Sequence, residues 1–157
     1  MPSKNKLSLS VQYPDPRLIG SVTRPLVRRW VQAALLAPAE LTIRFVDEEE
    51  GRALNRDYRG KDYATNVLTF AYSEDASDEQ LDNITRADLV LCTDVLSIEA
   101  SAQNKTLLAH AAHLVVHGVL HAQGYDHEND TDAEEMEALE TEVLAQLGFD
   151  NPYSVHQ

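Results

Sequence analysis

The sequence predicts one α+β domain, in which about five helices pack on a mixed sheet of roughly four strands. Its 157 residues are enough to bury one substantial core, so we expect a single domain over residues 1–157. Hydrophobic residues make up 43% of the chain and charged residues 25%, which is typical of a globular protein. Every segment from Asp94 onward is helical, whereas the strand patterns all precede it, which indicates an α+β or three-layer αβα arrangement.

Four segments carry strand patterns. Ser8–Tyr13 alternates apolar and polar residues, as a half-buried strand does, and a Pro-Asp-Pro sequence ends it. Leu41–Val46 and Asn66–Tyr72 are the predicted second and third strands. Ala87–Cys92 is apolar almost throughout, and we therefore expect this fourth strand to be central in the sheet.

Helical patterns separate and follow these strands. Asp47 is expected to cap a helix, because Glu50 stands three residues later. Gly148 is expected to end the last helix, and Ser73–Thr85, which is polar and aperiodic, is predicted to be a surface loop. The predicted helices are Arg24–Ala37, Asp47–Arg56, Asp94–Ala102, Thr106–Gln123 and Asp132–Leu147.

The formal net charge of −13 restricts the ways in which this protein can bind nucleic acid. Affinity that does not depend on base sequence comes from Lys and Arg side chains that neutralise phosphates, and this chain as a whole repels phosphate. An RNA substrate would therefore require a local basic patch or a metal ion. The two acidic runs, Asp47–Glu50 and Glu128–Glu142, are interpreted as solvated helix surfaces.

Cysteine content and hydropathy bear on the compartment. The chain has one cysteine, Cys92, which cannot form an internal disulfide and fits a reducing cytoplasm. Its apolar neighbours predict a buried packing residue. We see no signal peptide in the polar N-terminus and no apolar run of about 20 residues that could span a membrane. We therefore expect a cytoplasmic protein without a membrane partner.

The histidines carry the strongest chemical signal. His110, His113, His117 and His121 follow one another on the predicted helix Thr106–Gln123 in steps of three, four and four residues. At 100° per residue they occupy an arc of about 80°. The helix is apolar in nearly every other direction, so it is expected to be buried. Buried imidazoles need partners, because an unsatisfied buried polar group costs about 1–3 kcal/mol.

A metal ion is one such partner, and the spacing selects its ligands. His113 and His121 are too far apart to share an ion, at about 12 Å along the helix axis. His117 and His121 form an i, i+4 pair, and Gly124 allows a turn that returns His127 to them. Three neutral imidazoles with an open fourth position are typical of catalytic zinc. The sequence therefore predicts one Zn²⁺ per chain, held by His117, His121 and His127.

The simpler interpretation of a histidine on an apolar face is a core residue satisfied by a carboxylate or a carbonyl. We keep that interpretation for His110 and His113, which are expected to lie outside the metal's ligand set. A cysteine-rich structural zinc site is excluded, because Cys92 is the only cysteine.

The spacing also matches H-E-x-x-H-x-x-G-x-x-H, the metzincin protease pattern, at all three histidines and at Gly124. It departs at the general-base glutamate, which is Gly118 in this chain. Without that carboxylate, peptide hydrolysis lacks the group that takes a proton from water. This departure argues against the alternative of a metzincin-like metalloprotease.

The chain more closely resembles the YbeY family of endoribonucleases. The similarity lies in the stretch His113–His127 and in Tyr58–Phe70, with the acidic helix around Glu134–Glu137 and the ending Leu147–Tyr153. It covers roughly residues 40–153. One local departure is Ala87-Asp88-Leu89, where the family pattern has Gly-Asp-Ile. An alanine can replace that glycine wherever φ is negative.

This resemblance implies a zinc-associated endoribonuclease specific for single-stranded RNA, active in the cytoplasm. It further implies a role in ribosomal RNA processing, notably at the 3′ end of the 16S RNA, and in ribosome quality control. The implied partners are ribosomal RNA, the small ribosomal subunit and its assembly factors, and we expect no DNA substrate. An alternative is a metal-containing assembly factor that binds RNA without turnover.

Two cations before the third strand are expected to contact the phosphate backbone. Arg59 can bind two phosphate oxygens at once and is the predicted catalytic cation, whereas Lys61 acts as a point charge in substrate binding. With Arg56 they form a local basic cluster in an acidic protein. Asp126 is expected either to orient a metal ligand or to form the turn. The residues do not identify a general base.

Overall fold

Four strands form one mixed sheet in the computed structural model, which describes residues 6–71, 84–125 and 129–153. They are β1 (Leu7–Gln12), β2 (Ala39–Val46), β3 (Val67–Ala71) and β4 (Thr85–Cys92). Their order is β1-β2-β4-β3, with β1, β2 and β4 parallel and β3 antiparallel to β4. The predicted mixed sheet is confirmed, and so is the central position of the fourth strand.

Five helices accompany the sheet within the described residues, as predicted. A 3₁₀ turn over Pro16–Leu18 precedes the first of these helices. The helices are α1 (Arg24–Ala34), α2 (Glu48–Arg59), α3 (Thr93–Ala102), α4 (Leu107–Ala122) and α5 (Asp130–Gln146).

Three helix boundaries differ by two residues or more from those predicted. Helix α1 ends at Ala34, because Leu35 adopts an extended conformation (ψ 132°) as the chain turns toward β2. Helix α2 continues to Arg59, where Gly60 caps it with a φ of 71°, a conformation that favours glycine. Helix α5 begins at Asp130, because the Asn129 side chain accepts a hydrogen bond from the backbone N–H of Asp132.

Two further expectations concern a cap and a loop. The Asp47 carboxylate accepts a hydrogen bond from the backbone N–H of Glu50 at 2.9 Å, which confirms the predicted cap of α2. The predicted surface loop lies almost wholly outside the described residues. Its last residue, Thr85, was assigned wrongly, because it pairs with Ala39 as the first residue of β4.

The sheet separates two apolar layers. Helices α1, α4 and α5 cover one face, where the main core includes Trp30, Phe45, Leu89 and Leu120. Helix α2 covers the other face through a smaller cluster. That cluster comprises Val46, Leu68 and Val90, with Leu54 and Phe70 packed against them. Burial of apolar surface on both faces stabilises the domain and places α4 in its interior.

Cys92 is 1% exposed at the end of β4, so the prediction of a buried packing residue is confirmed. Burial raises the pKa of its thiol, which disfavours the reactive thiolate. No helix among the described residues is long and apolar enough to cross a membrane.

Candidate metal centre

Helix α4 brings four histidines into one line. The Thr106 hydroxyl caps the helix by accepting a hydrogen bond from the backbone N–H of Ala109 at 3.0 Å. Ring centroids of successive histidines then lie 6.2, 6.5 and 6.4 Å apart along the stripe. The rest of the helix surface is almost entirely buried, as the sequence predicts. The four members of this histidine stripe are His110, His113, His117 and His121.

The first two histidines of the stripe have carboxylate partners. Nε2 of His110 lies 2.9 Å from Oε1 of Glu99 on α3. Burial lowers the pKa of His110, and the opposing effect of Glu99 is smaller. Nε2 of His113 lies 2.9 Å from Oε1 of Glu140 on α5. Their interpretation as core histidines with carboxylate partners is confirmed.

The other two histidines are held through the opposite ring nitrogen. Nδ1 of His117 lies 2.6 Å from Oε2 of Glu140, and Nδ1 of His121 lies 3.0 Å from the carbonyl oxygen of Tyr125. The two rings are nearly parallel, with an interplanar angle of 10°. When Nδ1 donates to an oxygen, the metal-ligating electron pair is on Nε2.

This donor set fits a zinc ion. Histidines that bind zinc almost always donate their other ring N–H to a carboxylate or a backbone carbonyl. His117 and His121 show one of each, on adjacent turns of a buried helix. His110 and His113 differ in that carboxylates engage their Nε2 atoms, the ring nitrogen that His117 and His121 keep for an ion.

The turn after α4 leads the chain back toward this pair. Gly124 has a φ of 104°, a conformation that favours glycine, and the next residue, Tyr125, places its carbonyl oxygen against His121. The predicted third ligand, His127, and the neighbouring Asp126 lie outside the described residues. Within residues 6–71, 84–125 and 129–153, no three His, Cys, Asp or Glu side chains form a metal-binding group. The three-histidine zinc site therefore stays a prediction.

Glu140 is a member of the site that the sequence analysis missed. Its side chain is completely buried, so the interpretation of Glu128–Glu142 as a solvated surface is wrong at this position. Burial alone would raise the pKa of Glu140, but hydrogen bonds with His113, His117 and Tyr153 outweigh it and lower the pKa to about 2. The carboxylate is therefore ionised beside the histidines at neutral pH.

Tyr153 closes this network from the C-terminal segment. Its hydroxyl donates a short hydrogen bond to Oε1 of Glu140, and its ring stands edge-on to His113 with centroids 5.3 Å apart. Burial, together with the Glu140 hydrogen bond, raises the pKa of the Tyr153 phenol, which stays protonated as a donor. A buried carboxylate thus connects α4, α5 and the C-terminal segment.

Comparison with known proteins identifies the family. The family model described as Endoribonuclease YbeY matches residues 17–148. An endoribonuclease YbeY of Janthinobacterium sp. (strain Marseille) is 69% identical over 153 residues, which cover 98% of each chain. Another, of Herminiimonas arsenicoxydans, is 70% identical over 96% of this chain and 97% of its own length. The chain belongs to the YbeY endoribonuclease family.

A solved structure supports the fold independently. The solution structure of a Thermotoga maritima protein matches 94% of this chain and 99% of its own length, with a TM-score of 0.53. The two sequences are 22% identical, so this likeness concerns the fold alone. The predictions of the family, of the α+β fold and of an endoribonuclease are thus confirmed.

The two predicted phosphate-binding cations lie where α2 ends and the chain leads into β3. Arg59 and Lys61 are both exposed, and neither side chain forms an ion pair or a hydrogen bond within the described parts of the chain. The buried Asn55 side chain donates to the carbonyl oxygen of Tyr63 at 2.7 Å, which holds this loop against α2. Helix α2 packs on the sheet face opposite α4. Within the part of the chain that the structure describes, no contact joins either cation to the histidine stripe, and their roles stay predictions.

The neighbouring cations differ in their pairing. Arg56 lies 3.4 Å from Asp57, and Arg52 lies 2.8 Å from Asp62. The predicted basic cluster is thus partly neutralised, because Arg56 has a carboxylate partner.

Proposed function

We propose that this protein is a zinc-dependent endoribonuclease that cleaves single-stranded RNA. The observation that carries the zinc requirement is the pair His117 and His121, whose Nδ1 atoms are engaged by Glu140 and by the Tyr125 carbonyl. This arrangement leaves the Nε2 electron pair of each ring for a metal ion, as in zinc-binding histidines, and supports the proposal. Family membership supports cleavage within RNA chains.

In this proposal His117, His121 and His127 hold the ion. Bound zinc would supply a concentrated positive charge that polarises a phosphoryl oxygen and lowers the pKa of water. Three imidazoles are neutral ligands, so they would leave the full charge of the ion available to the substrate. Such a charge is needed in a protein whose formal net charge is −13.

Arg59 and Lys61 are proposed to bind the RNA backbone. Both are exposed, and neither has a carboxylate partner among the described residues, so a phosphate would not have to displace one. Arg59 is fixed at the last turn of α2, where the left-handed Gly60 ends the helix. We assign it the catalytic role, because a guanidinium can contact two phosphoryl oxygens at once.

The proposed substrate is ribosomal RNA, with maturation of the 16S 3′ end and ribosome quality control as the cellular roles. The partners would be the small ribosomal subunit and its assembly factors, in the cytoplasm. This part of the proposal is supported by the resemblance of the motifs Tyr58–Phe70 and His113–His127 to the YbeY family.

The proposal is tested by measuring zinc content and RNA cleavage together. Wild-type protein should contain about one zinc per chain and cut a single-stranded RNA faster than the same sequence in a duplex. His117→Ala should lose both zinc and cleavage. His110→Gln is the matched control, because this histidine belongs to the same stripe but pairs with Glu99.

Two results would contradict the proposal. Wild-type protein that folds without zinc and cleaves RNA at full rate would exclude the metal requirement. Wild-type protein that binds zinc and RNA but produces no cleavage would favour an assembly factor without turnover. In that case, blocking the ion with a small chelating anion should leave RNA binding unchanged, whereas it should stop an enzyme.

A further inference from the structure

Both oxygens of the Glu140 carboxylate are committed to the histidine stripe and its surroundings. Oε2 lies 2.6 Å from Nδ1 of His117. Oε1 accepts from the Tyr153 hydroxyl and lies 2.9 Å from Nε2 of His113. The side chain is completely buried, so water does not compete for these contacts. We propose that Glu140 is a positioning residue. Its carboxylate, which Tyr153 and His113 hold in place, orients the His117 ring for zinc binding.

The direct effect of Glu140 is on the orientation of the imidazole. A neutral imidazole has one N–H and one acceptor nitrogen, and a hydrogen bond to a carboxylate places the N–H on Nδ1. The electron pair is then on Nε2, and the ring cannot flip without breaking a buried hydrogen bond. A carboxylate acceptor also makes the imidazole a stronger ligand than a neutral acceptor would.

Tyr153 and His113 matter because they fix the carboxylate itself. A lone contact to Oε2 would leave the Glu140 side chain free to rotate about its terminal bonds. Oε1 is contacted by His113 on α4 and by Tyr153 in the C-terminal segment, and these two contacts restrict that rotation. The same contacts connect the end of the chain to the orientation of His117, although Tyr153 follows it by 36 positions in sequence.

The neighbouring His121 provides an internal contrast. Its Nδ1 faces the neutral carbonyl oxygen of Tyr125 at 3.0 Å, a longer and weaker contact than that of His117 with a carboxylate. The backbone of the turn after α4 therefore orients His121, while His117 depends on a side chain. A substitution at Glu140 should act on one of the two ligands and leave the other in place.

This inference rests on the proposed zinc site, and its test measures zinc affinity rather than cleavage. Zinc-loaded wild-type protein is titrated with a chelator, and the competition gives a dissociation constant. Glu140→Gln keeps the shape of the side chain and removes its charge, and we expect zinc to bind about 10–100 times more weakly. Tyr153→Phe removes only the hydroxyl, and we expect a smaller loss in the same direction.

Glu99→Gln is the matched control. Glu99 is also a carboxylate paired with a histidine of the stripe, but its partner is His110, which is not a proposed ligand. We expect this variant to bind zinc as the wild type does. The melting temperature of each metal-free variant is measured in parallel, because a merely structural role would lower that temperature without changing zinc affinity in the folded protein.

The outcomes separate this inference from the proposed function. Wild-type protein that binds no zinc overturns the proposed function, and with it any positioning role. Wild-type protein that binds zinc, together with a Glu140→Gln variant of equal affinity, overturns the positioning role alone. If Glu140→Gln does not fold, Tyr153→Phe decides: weakened zinc binding supports the inference, and unchanged binding overturns it.

Discussion

A Cβ atom placed on Gly118 would lie 2.6 Å from Cδ2 and 3.2 Å from Cγ of Leu89, inside the distance at which two carbon atoms can pack. Gly118 therefore allows helix α4 to approach strand β4 more closely than any other residue would. The same position carries the general-base glutamate in metzincin proteases. In this fold it faces the sheet, where a carboxylate side chain has no space. The geometry thus agrees with the sequence in arguing against a protease.

The close approach predicts the effect of one added methyl group. Gly118→Ala should gain up to about 1 kcal/mol from helix propensity. It should lose about 1–3 kcal/mol from overpacking against Leu89, which is completely buried. We expect a net destabilisation of about 1 kcal/mol in urea unfolding.

Gly51 is the matched control for this substitution. It lies inside helix α2, and a Cβ there would meet Cβ of Cys92 at 3.4 Å, close to ordinary contact. Gly51→Ala should therefore leave the free energy of unfolding unchanged or raise it by up to about 1 kcal/mol. Equal effects at the two glycines would show that Leu89 can move aside and that the close approach is not essential.

Periodicity predicts this fold well, because buried faces impose their period on the sequence. Ala87–Cys92 is apolar except for Asp88, because β4 is covered on both faces, and this pattern places the strand correctly in the centre of the sheet. The histidine stripe follows from helical geometry alone. Boundaries such as the end of α1 at Ala34 could not be predicted in this way, because they depend on the path to the next strand.

The partners of the histidines could not be predicted in the same way. Glu140 was interpreted as part of a solvated acidic run, although it shares a buried face of α5 with Met136, Val143 and Leu144. Glu140 stands four residues after Met136, three before Val143 and four before Leu144. This helical spacing relative to apolar residues is the signal that could have identified it as buried. Tyr153 had no such signal, because no local pattern specifies where an irregular C-terminal segment packs.

Zinc removal should lower stability if the proposed site is correct. An ion that binds only the folded state stabilises it by about 2.7 kcal/mol when its free concentration is 100 times Kd. Chelator treatment should therefore lower the melting temperature of zinc-loaded protein by several degrees. The His117→Ala variant is the control, since its melting curve should not respond to the chelator. An unchanged wild-type curve after verified metal removal would contradict the prediction.

Arg17 predicts a pH dependence of stability. Its guanidinium donates hydrogen bonds to the carboxylate of Asp15, from Nε at 2.9 Å, and to that of Asp94 at 2.8 Å. These hydrogen bonds lower the pKa of both carboxyl groups below the ordinary value of 3.8. A lowered folded-state pKa contributes stability above the unfolded pKa, and this contribution is lost as pH falls through the folded value. Arg17→Gln should therefore destabilise the protein at pH 7, with the difference shrinking below about pH 4.

The control for Arg17 is an exposed ion pair. Arg52 and Asp62 lie 2.8 Å apart, but their side chains are 54% and 60% exposed, so water screens the interaction. Arg52→Gln should change the free energy of unfolding little at either pH. Melting curves of both variants at neutral and acidic pH make the comparison. A constant difference for Arg17→Gln at all pH values would contradict the assigned cause.

A catalytic role of Arg59 predicts that its substitution lowers turnover more than RNA affinity. If its guanidinium stabilises charge that develops on the phosphoryl group, Arg59→Ala should lower turnover by about 100-fold or more with normal zinc content. Arg59→Lys should also be impaired, because an ammonium cannot make a two-point contact. An effect confined to the transition state lowers kcat and leaves RNA affinity almost unchanged, whereas a merely positioning cation weakens binding. Single-turnover cleavage and RNA titration distinguish the two.

A salt titration tests the same contact through RNA binding. Removing one phosphate contact should reduce the slope of log affinity against log salt by about 0.7 for single-stranded RNA. Arg44→Ala is the control, because this guanidinium is paired with Glu50 at 3.0 Å and is not expected to reach RNA. Cleavage by Arg59→Ala at the wild-type rate would show that the catalytic assignment of Arg59 is wrong. The phosphate-binding cations would then have to lie elsewhere, with Arg24, Arg28 and Arg29 on or beside the exposed side of α1 as the next candidates.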